Sequence, residues 1–180
     1  MELAVTDSLT GLYNRRYMSN HLNAMLQRAK MDYKPVCLMI LDIDFFKPVN
    51  DTHGHDVGDD VIKEFSARIG MSIRGIDLAC RYGGEEFVVV MPDTDLSMAS
   101  TVAERLRRQM ADKPFVVSNN KLELDLTCSI GVTQEQEEAD SLLKRADEAL
   151  YKAKRDGRNR VVVAPCPVTA FAKSSGVAAR

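Results

Sequence analysis

Val36-Cys37-Leu38-Met39-Ile40-Leu41 is an unbroken apolar run of strand length that stops at Asp42-Ile43-Asp44. A strand apolar at every position, instead of every second one, is covered on both faces. The run therefore predicts a central strand with helices on either side. Downstream, Asp77-Leu78-Ala79-Cys80-Arg81-Tyr82 and Phe87-Val88-Val89-Val90-Met91 flank Gly83-Gly84-Glu85-Glu86. Two strand-like runs around a short glycine-containing link predict a β-hairpin, which Pro92 ends.

Helical patterns surround these strands. Arg15 to Met31 carries Met18, Leu22, Met25, Leu26 and Ala29 on one stripe, with Asn14 placed to cap it. Gly58 to Met71 presents Val61, Ile62, Phe65 and Ile69, and Leu96 to Met110 presents Met98, Val102, Leu106 and Met110. Asp140 to Arg155 buries Leu143, Ala146 and Leu150 and ends at Gly157, a natural residue just past a helix. Asn50 to Asp56 reads as a polar loop. Phe115-Val116-Val117 and Leu122 to Val132 read as strands around the turn Ser118-Asn119-Asn120, and Val161-Val162-Val163 as a last strand. Helices alternating with strands around a hairpin imply an α/β (α+β) fold, a central mixed sheet with flanking helices. Residues 1–164 are expected to form this one domain, and 165–180, where Ala, Ser, Pro and Lys take over, a disordered tail.

Bulk properties narrow the function. A chain of 180 residues fits a single domain with a core large enough to stand unstapled. Its 24 basic and 26 acidic residues leave a net charge of −2, which argues against a nucleic-acid binder living on phosphate attraction. An anionic ligand must then be held by locally placed cations, backbone N–H groups or a metal ion. Cys37, Cys80, Cys128 and Cys166 form no C-x-x-C pair, and three of them sit in strand-like apolar runs, as buried thiols do. No apolar run approaches the roughly 20 residues that span a bilayer. Met1-Glu2-Leu3-Ala4 lacks the layout of a secretory signal, so a soluble, cytoplasmic domain is expected, with no membrane partner.

Asp42 closes a buried strand, and a carboxylate there needs a positive partner, either a basic side chain or a divalent cation. An ordinary turn-starting aspartate fits that segment equally well on its own. Gly83-Gly84-Glu85-Glu86 reads either as a solvated acidic turn or as two side-chain-free residues that admit a ligand beside two carboxylates. If the hairpin lies beside the Asp42 strand, Asp42 and Glu85 converge as hard oxygen ligands of the kind Mg²⁺ accepts alongside phosphates and water. Lys47 follows the strand, where backbone N–H groups and an ammonium can meet a phosphate. Asn50 and Asp59 supply an amide and a carboxylate, a pair suited to guanine.

Gly83-Gly84-Glu85-Glu86-Phe87 is the signature of the GGDEF family in its Glu variant, and the resemblance extends along the chain. Asp7-Ser8-Leu9-Thr10-Gly11-Leu12-Tyr13-Asn14-Arg15-Arg16 resembles the family's opening motif. Asp42-Ile43-Asp44-Phe45-Phe46-Lys47, Asn50-Asp51 and Gly54-His55-Asp56-Val57-Gly58-Asp59 resemble its metal and guanine segments. Ala146-Asp147-Glu148-Ala149-Leu150-Tyr151 and Lys154 to Asn159 resemble its C-terminal helix and end, and Pro48 is a minor departure in a variable position.

The resemblance implies a palm-like, nucleotide-cyclase-like sheet carrying the GGEEF hairpin, and a diguanylate cyclase that condenses two GTP into cyclic di-GMP. It implies two Mg²⁺ per site, with Mn²⁺ able to substitute, held by Asp42, Glu85 and the Ile43 carbonyl. Phe45, Phe46, Lys47, Lys154 and Arg158 would meet the triphosphate, with Gly83 and Gly84 beside it. Asn50 and Asp59 would read guanine with Leu9 against the base, and Glu86 would assist at the metals or the attacking hydroxyl. Each domain holds one GTP, so catalysis would need an antiparallel homodimer, set in place by an upstream sensor or receiver. Arg74-Gly75-Ile76-Asp77, five residues before Gly83, matches the family's R-x-x-D site for product inhibition, with Arg105 as partner. The alternative is a catalytically weak member acting as a GTP- or cyclic di-GMP-binding module. Such members lose a metal carboxylate or the second glycine, and both are kept here.

Overall fold

The computed structural model describes residues 4–135 and 139–165. In chain order these form β1 (Tyr13–Asn14), α1 (Arg15–Met31), β2 (Val36–Ile43), α2 (Phe46–His53), α3 (His55–Ser72), β3 (Leu78–Arg81), β4 (Glu86–Pro92), α4 (Leu96–Asp112), β5 (Phe115–Val117), β6 (Leu122–Leu124), β7 (Cys128–Gln134), α5 (Ala139–Arg155) and β8 (Val161–Val163). Six strands make one sheet in the order β1-β3-β4-β2-β7-β8, and β5 and β6 make a separate ribbon. β2 runs antiparallel to both β4 and β7, while β1 with β3 and β7 with β8 are parallel, so the sheet is mixed, as expected.

All eight residues of β2 are buried, and their alternation sorts the protein into two cores. Cys37, Met39, Leu41 and Ile43 pack with Phe65 and Ile69 of α3 and Leu106 of α4. Val36, Leu38 and Ile40 pack with Met18 and Leu22 of α1 and Ala146 and Leu150 of α5. Asp42 continues the second set, so its carboxylate leaves the strand on the α1/α5 face. α5 lies very close to β7: a Cβ on Gly131 would stand 2.2 Å from the Ala146 carbonyl oxygen. Only glycine permits that approach.

The sequence-based elements recur, with β1 added to them and four further differences. The polar stretch expected as a loop is mostly α2, whose Phe46 and Val49, each 7% exposed, are buried one turn apart. Pro, Asn, Asp and Thr hid this helix, since its packing overrides weak propensity. Pro48 lies in its first turn, where a missing N–H costs nothing. On α4 the buried stripe is Ala99, Ala103, Leu106 and Met110, not the Met98 and Val102 line; small alanines let the helix settle close and leave Met98 49% exposed. On α5 Leu142 takes the fully buried place expected for Leu143, which is partly buried. The strand expected from Leu122 to Val132 is two strands, broken between Leu124 and Cys128.

Cys37, Cys80 and Cys128 are free buried thiols, and burial pushes the first two up to about 12, so they are inert at neutral pH. Cys166, and the tail expected from 165 apart from Pro165 itself, lie outside the described residues. Among the described residues no helix is long and apolar enough to cross a membrane.

Arg68 gave no signal in the sequence, yet it fastens α3 to the end of α4. It is 3% exposed, pairs with Glu64 at 2.9 Å and lies over the Phe115 ring at 3.9 Å. Its guanidinium donates to the carbonyls of Gln109, Lys113 and Pro114, which the helix end would otherwise leave without donors. Arg68→Ala strands these carbonyls and Glu64 at a buried joint. It is expected to cost about 3 kcal/mol and lower Tm by about 6–12 °C in thermal denaturation.

Candidate active site

β2 delivers Asp42, 6% exposed, to the rim of the sheet, where Lys154 of α5 donates to its Oδ2 at 2.6 Å. Glu86 is its ladder partner on β4, and the Ile43 N–H donates to the Glu85 carbonyl at 3.3 Å. The hairpin therefore does lie beside the Asp42 strand. Burial pushes the Asp42 carboxyl up to about 6; Lys154 opposes the rise, while Glu85 and Glu86 add to it. Burial also raises Glu86, with Asp147 and Glu85 reinforcing it against Lys154 and Arg15.

A cavity of 230 Å³ opens at this rim and gathers Asp42, Ile43, Phe45, Phe46, Lys47, Glu85, Lys154 and Arg158. All eight were expected from the sequence to share one site. Phe45 turns the chain in a left-handed conformation (φ 56°, ψ 35°) directly ahead of α2, so the first, unpaired N–H groups of that helix end at the cavity. Lys47 donates to Asp51 Oδ2 at 2.6 Å on the exposed side of α2. The Arg158 guanidinium lies 4.6 Å from the Phe45 ring centre.

Asp44 shows how the C-terminal cations are brought here. It is 3% exposed and accepts from Thr127 Oγ1 and Ser129 Oγ, both at 2.7 Å, and from the Asn159 N–H at 2.9 Å. α5 ends as its Gly157 predicted: Gly157 has φ +123°, and the N–H groups of Gly157 and Arg158 return to the carbonyls of Lys154 and Ala153. The turn that carries Arg158 is thus fixed to the end of β2. Asp44 is saturated by protein donors and is a positioning residue.

The hairpin tip is closed by the Tyr82 and Gly83 N–H groups donating to the Glu86 carbonyl. Arg81 braces it from outside, donating to the Gly84 carbonyl at 2.9 Å and pairing with Asp7 at 3.3 Å. Burial opposes ionisation of Asp7, yet Thr10 and Arg81 together hold its carboxyl below the ordinary value. This link between the opening motif and the tip escaped sequence reasoning. Leu9 is partly buried against the α3/α4 core. Asn50 and Asp59 stand outside the cavity at the joint of α2 and α3, Asp59 exposed and Asn50 with its Oδ1 buried and unbonded.

The profile of the family described as "Diguanylate cyclase, GGDEF domain" matches residues 4–160. The chain belongs to this GGDEF family. It is 53% identical over 165 residues to the response regulator PleD of Caulobacter vibrioides, covering 90% of this chain and 36% of that protein. It is 46% identical over 168 residues to the probable diguanylate cyclase DgcT of Escherichia coli, covering 89% and 36%. The chain therefore spans little more than a third of these two relatives. Among solved structures, the GGDEF domain of DgcB from Caulobacter crescentus, in complex with c-di-GMP, superposes with a TM-score of 0.86 at 36% identity, covering 91% of this chain and 98% of that one.

The GGDEF rim fits a divalent cation of the Mg²⁺ type. Asp42 and Glu85 line it beside Ile43, and a lysine ammonium already sits at 2.6 Å from Asp42. Among the described residues no group of three or more His, Cys, Asp or Glu is placed to hold a metal ion by itself; Mg²⁺ ordinarily takes its remaining ligands from phosphates and water.

Arg74 and Asp77 form one unit. Arg74 pairs with Asp77 Oδ1 at 2.9 Å, its N–H donates to Asp77 Oδ2 at 2.7 Å, and its guanidinium also donates to the Pro92 carbonyl. Arg105 donates to the Ser72 carbonyl at 2.7 Å, which brings it to the same loop. Its neighbours point elsewhere: Arg107 donates to Glu104 and Asn159, and Arg108 pairs with Glu104. Arg105 also lines a groove of 1110 Å³ along α4.

The raised Asp42 value has a consequence for the ligand-free protein. A carboxyl at about 6 in the folded chain and near 3.8 unfolded stabilises the fold while protonated, and that contribution disappears as pH rises from about 4 through 6. Asp42→Asn should therefore flatten this part of the Tm–pH profile. It should also raise Tm near neutral pH by a gain of roughly 1 kcal/mol, after allowing for partial solvent access. A lower Tm above pH 6 is the contrary result.

Proposed function

We propose that residues 1–164 form a diguanylate cyclase domain that joins two GTP molecules into cyclic di-GMP and releases two pyrophosphates. The observation that carries this is the convergence of Asp42 and Glu85 with Lys47, Lys154 and Arg158 around one cavity. Its 230 Å³ suits phosphate groups and a cation, and leaves the base outside, one turn further along α2 toward Asn50 and Asp59.

Asp42, Glu85 and the Ile43 carbonyl would hold two Mg²⁺, with Mn²⁺ an acceptable substitute. Metal bound there would lower the pKa of the attacking 3′-hydroxyl and would neutralise charge growing on the phosphates. The unpaired N–H groups at Phe46 and Lys47 grip the triphosphate, and Lys154 and Arg158 complete its neutralisation. Lys47 and Lys154 are each paired with an aspartate, so on binding they exchange a carboxylate for a phosphate. Gly84 has open space where a side chain would be, which leaves room for a nucleotide against the tip beside Gly83. Glu86, its carboxyl raised, is placed to assist at the metals or the hydroxyl. Leu9 packs toward the base. The hydroxyl of one GTP attacks the α-phosphate of the other, so two domains must face each other in an antiparallel dimer. Holding the reactants in place contributes up to roughly 7–11 kcal/mol in favourable cases. An upstream sensor or receiver would set that geometry in a longer protein acting in the cytoplasm.

Product inhibition would act through Arg74, Asp77 and Arg105. Arginine meets phosphate or the guanine edge in bidentate fashion and aspartate accepts guanine N–H groups. The c-di-GMP complex of the similar DgcB domain supports binding of that nucleotide by this fold.

Incubation with Mg²⁺ and GTP, followed by chromatography, should give cyclic di-GMP and pyrophosphate. Bound but unchanged GTP would make the chain a nucleotide-binding member without turnover. Glu85→Gln should lower turnover by at least about 10²-fold with the circular dichroism spectrum unchanged, as expected when a charge-stabilising group is removed. Residual activity above that level removes Glu85 from the metal site. Arg74→Ala should relieve inhibition by added cyclic di-GMP while kcat is retained. It should also lower Tm slightly, since the guanidinium bonds to Asp77 and to the Pro92 carbonyl are lost while the residue-74 N–H and Thr94 Oγ1 still donate to them.

A further inference from the structure

We propose that Gly58 is a positioning residue for base selection, an assignment that rests on the guanine-reading role proposed above for Asn50. Asn50 lies in the last turn of α2 and Gly58 in the first turn of α3, on either side of the cap residue Gly54. The Gly54 N–H donates to the Asn50 carbonyl at 2.8 Å and the Gly58 N–H to the Gly54 carbonyl at 3.2 Å. The three residues therefore line up across the joint. Gly58 is helical and buried, so its conformation does not call for glycine. Its surroundings do: a Cβ there would stand 1.8 Å from Asn50 Oδ1, 3.0 Å from Asn50 Cγ and 3.2 Å from Phe46 Cζ.

The Asn50 carboxamide thus occupies the volume a side chain at 58 would fill. Its Oδ1 is buried against α3 without a hydrogen-bond partner among the described residues. A native fold rarely leaves a buried amide oxygen unbonded, and such an atom marks either a cost or a place awaiting a ligand. With the amide backed by α3 at Gly58, the orientation of its polar edge is set before a base arrives. A methyl group at 58 must push that amide outward or rotate it, whereas Asp59, exposed on the adjacent position, keeps its place. The predicted loss is therefore in discrimination between bases more than in grip on phosphates.

The test uses titration calorimetry with Mg²⁺ and α,β-methylene analogues of GTP and ATP, which bind without turnover, on wild type, G58A, N50A and the double variant. G58A should lower the guanine-to-adenine affinity ratio about tenfold, the size of one misplaced hydrogen bond. Its Tm should be no lower than wild type, because alanine suits a helix interior better than glycine. In the N50A background G58A should change the ratio less than about twofold, since the group it displaces is gone. If G58A does not fold but the double variant regains the Tm of N50A, the clash with Asn50 is demonstrated the same way. An unchanged ratio in G58A overturns the assignment, as does additivity in the double variant or a fallen Tm with equal losses for both nucleotides. Wild type binding neither analogue overturns the proposed function itself, and this assignment with it.

Discussion

Two carboxylates leave the end of a strand that is otherwise wholly apolar, and much of the site is the answer to that. Asp42 and Asp44 stand two residues apart on the α1/α5 side of β2, almost out of water. Charges so placed must be met. Lys154 meets one and the Thr127, Ser129 and Asn159 donors meet the other, so the C-terminal segment is drawn back across the sheet. This return carries Arg158 to the rim and lays β8 parallel to β7. The two aspartates do different work. Asp44 is saturated and holds geometry. Asp42 is met by a single ammonium and shares its rim with Glu85, which suits the cation role proposed for it.

The division of the sheet into two cores explains why the rim can carry such charge. The α3/α4 face is apolar along β2 as far as Ile43, and Arg68 closes its far end by satisfying carbonyls at the end of α4. That face meets the cavity only at its edge, through Ile43 and Phe46. On the α1/α5 face the apolar layer of Leu38, Ile40, Val88 and Val90 gives way, one residue pair further, to Asp42 opposite Glu86. The Asp7–Arg81–Gly84 chain of contacts adds a link from the entry of the polypeptide to the hairpin tip. A displacement of the entry segment would therefore be felt at the glycines.

Strand β2, the hairpin and the Gly157 ending of α5 were legible because each has a local cause: continuous burial, a short glycine link, a left-handed position. The candidate metal and phosphate residues became legible through a resemblance spread over several motifs, and the structure brings eight of them to one cavity. What escaped depends on partners distant in the chain. α2 reads as loop because its residues are poor helix formers, and only the burial of Phe46 and Val49 makes it a helix. Arg68 looks like any surface arginine until the end of α4, more than forty residues on, is folded against it. On α4 the pattern of large side chains identifies Leu106 and Met110 but not Ala99 and Ala103, because close packing against a sheet selects alanine.

α2 deserves its unlikely composition. Its first N–H groups face the cavity proposed for the phosphates, and one turn later Asn50 faces the joint proposed for the base. At 1.5 Å per residue the helix sets a fixed separation between these two functions, which a flexible loop could not. It is held from beneath by Phe46 and Val49, from ahead by the left-handed Phe45, and from behind by the contact of Asn50 with Gly58. Each restraint is weak as sequence and firm as packing. The spacing between the proposed phosphate and base sites is therefore a property of how α2 is wedged between β2 and α3, and it would change with that packing even if every residue assigned to the nucleotide were kept.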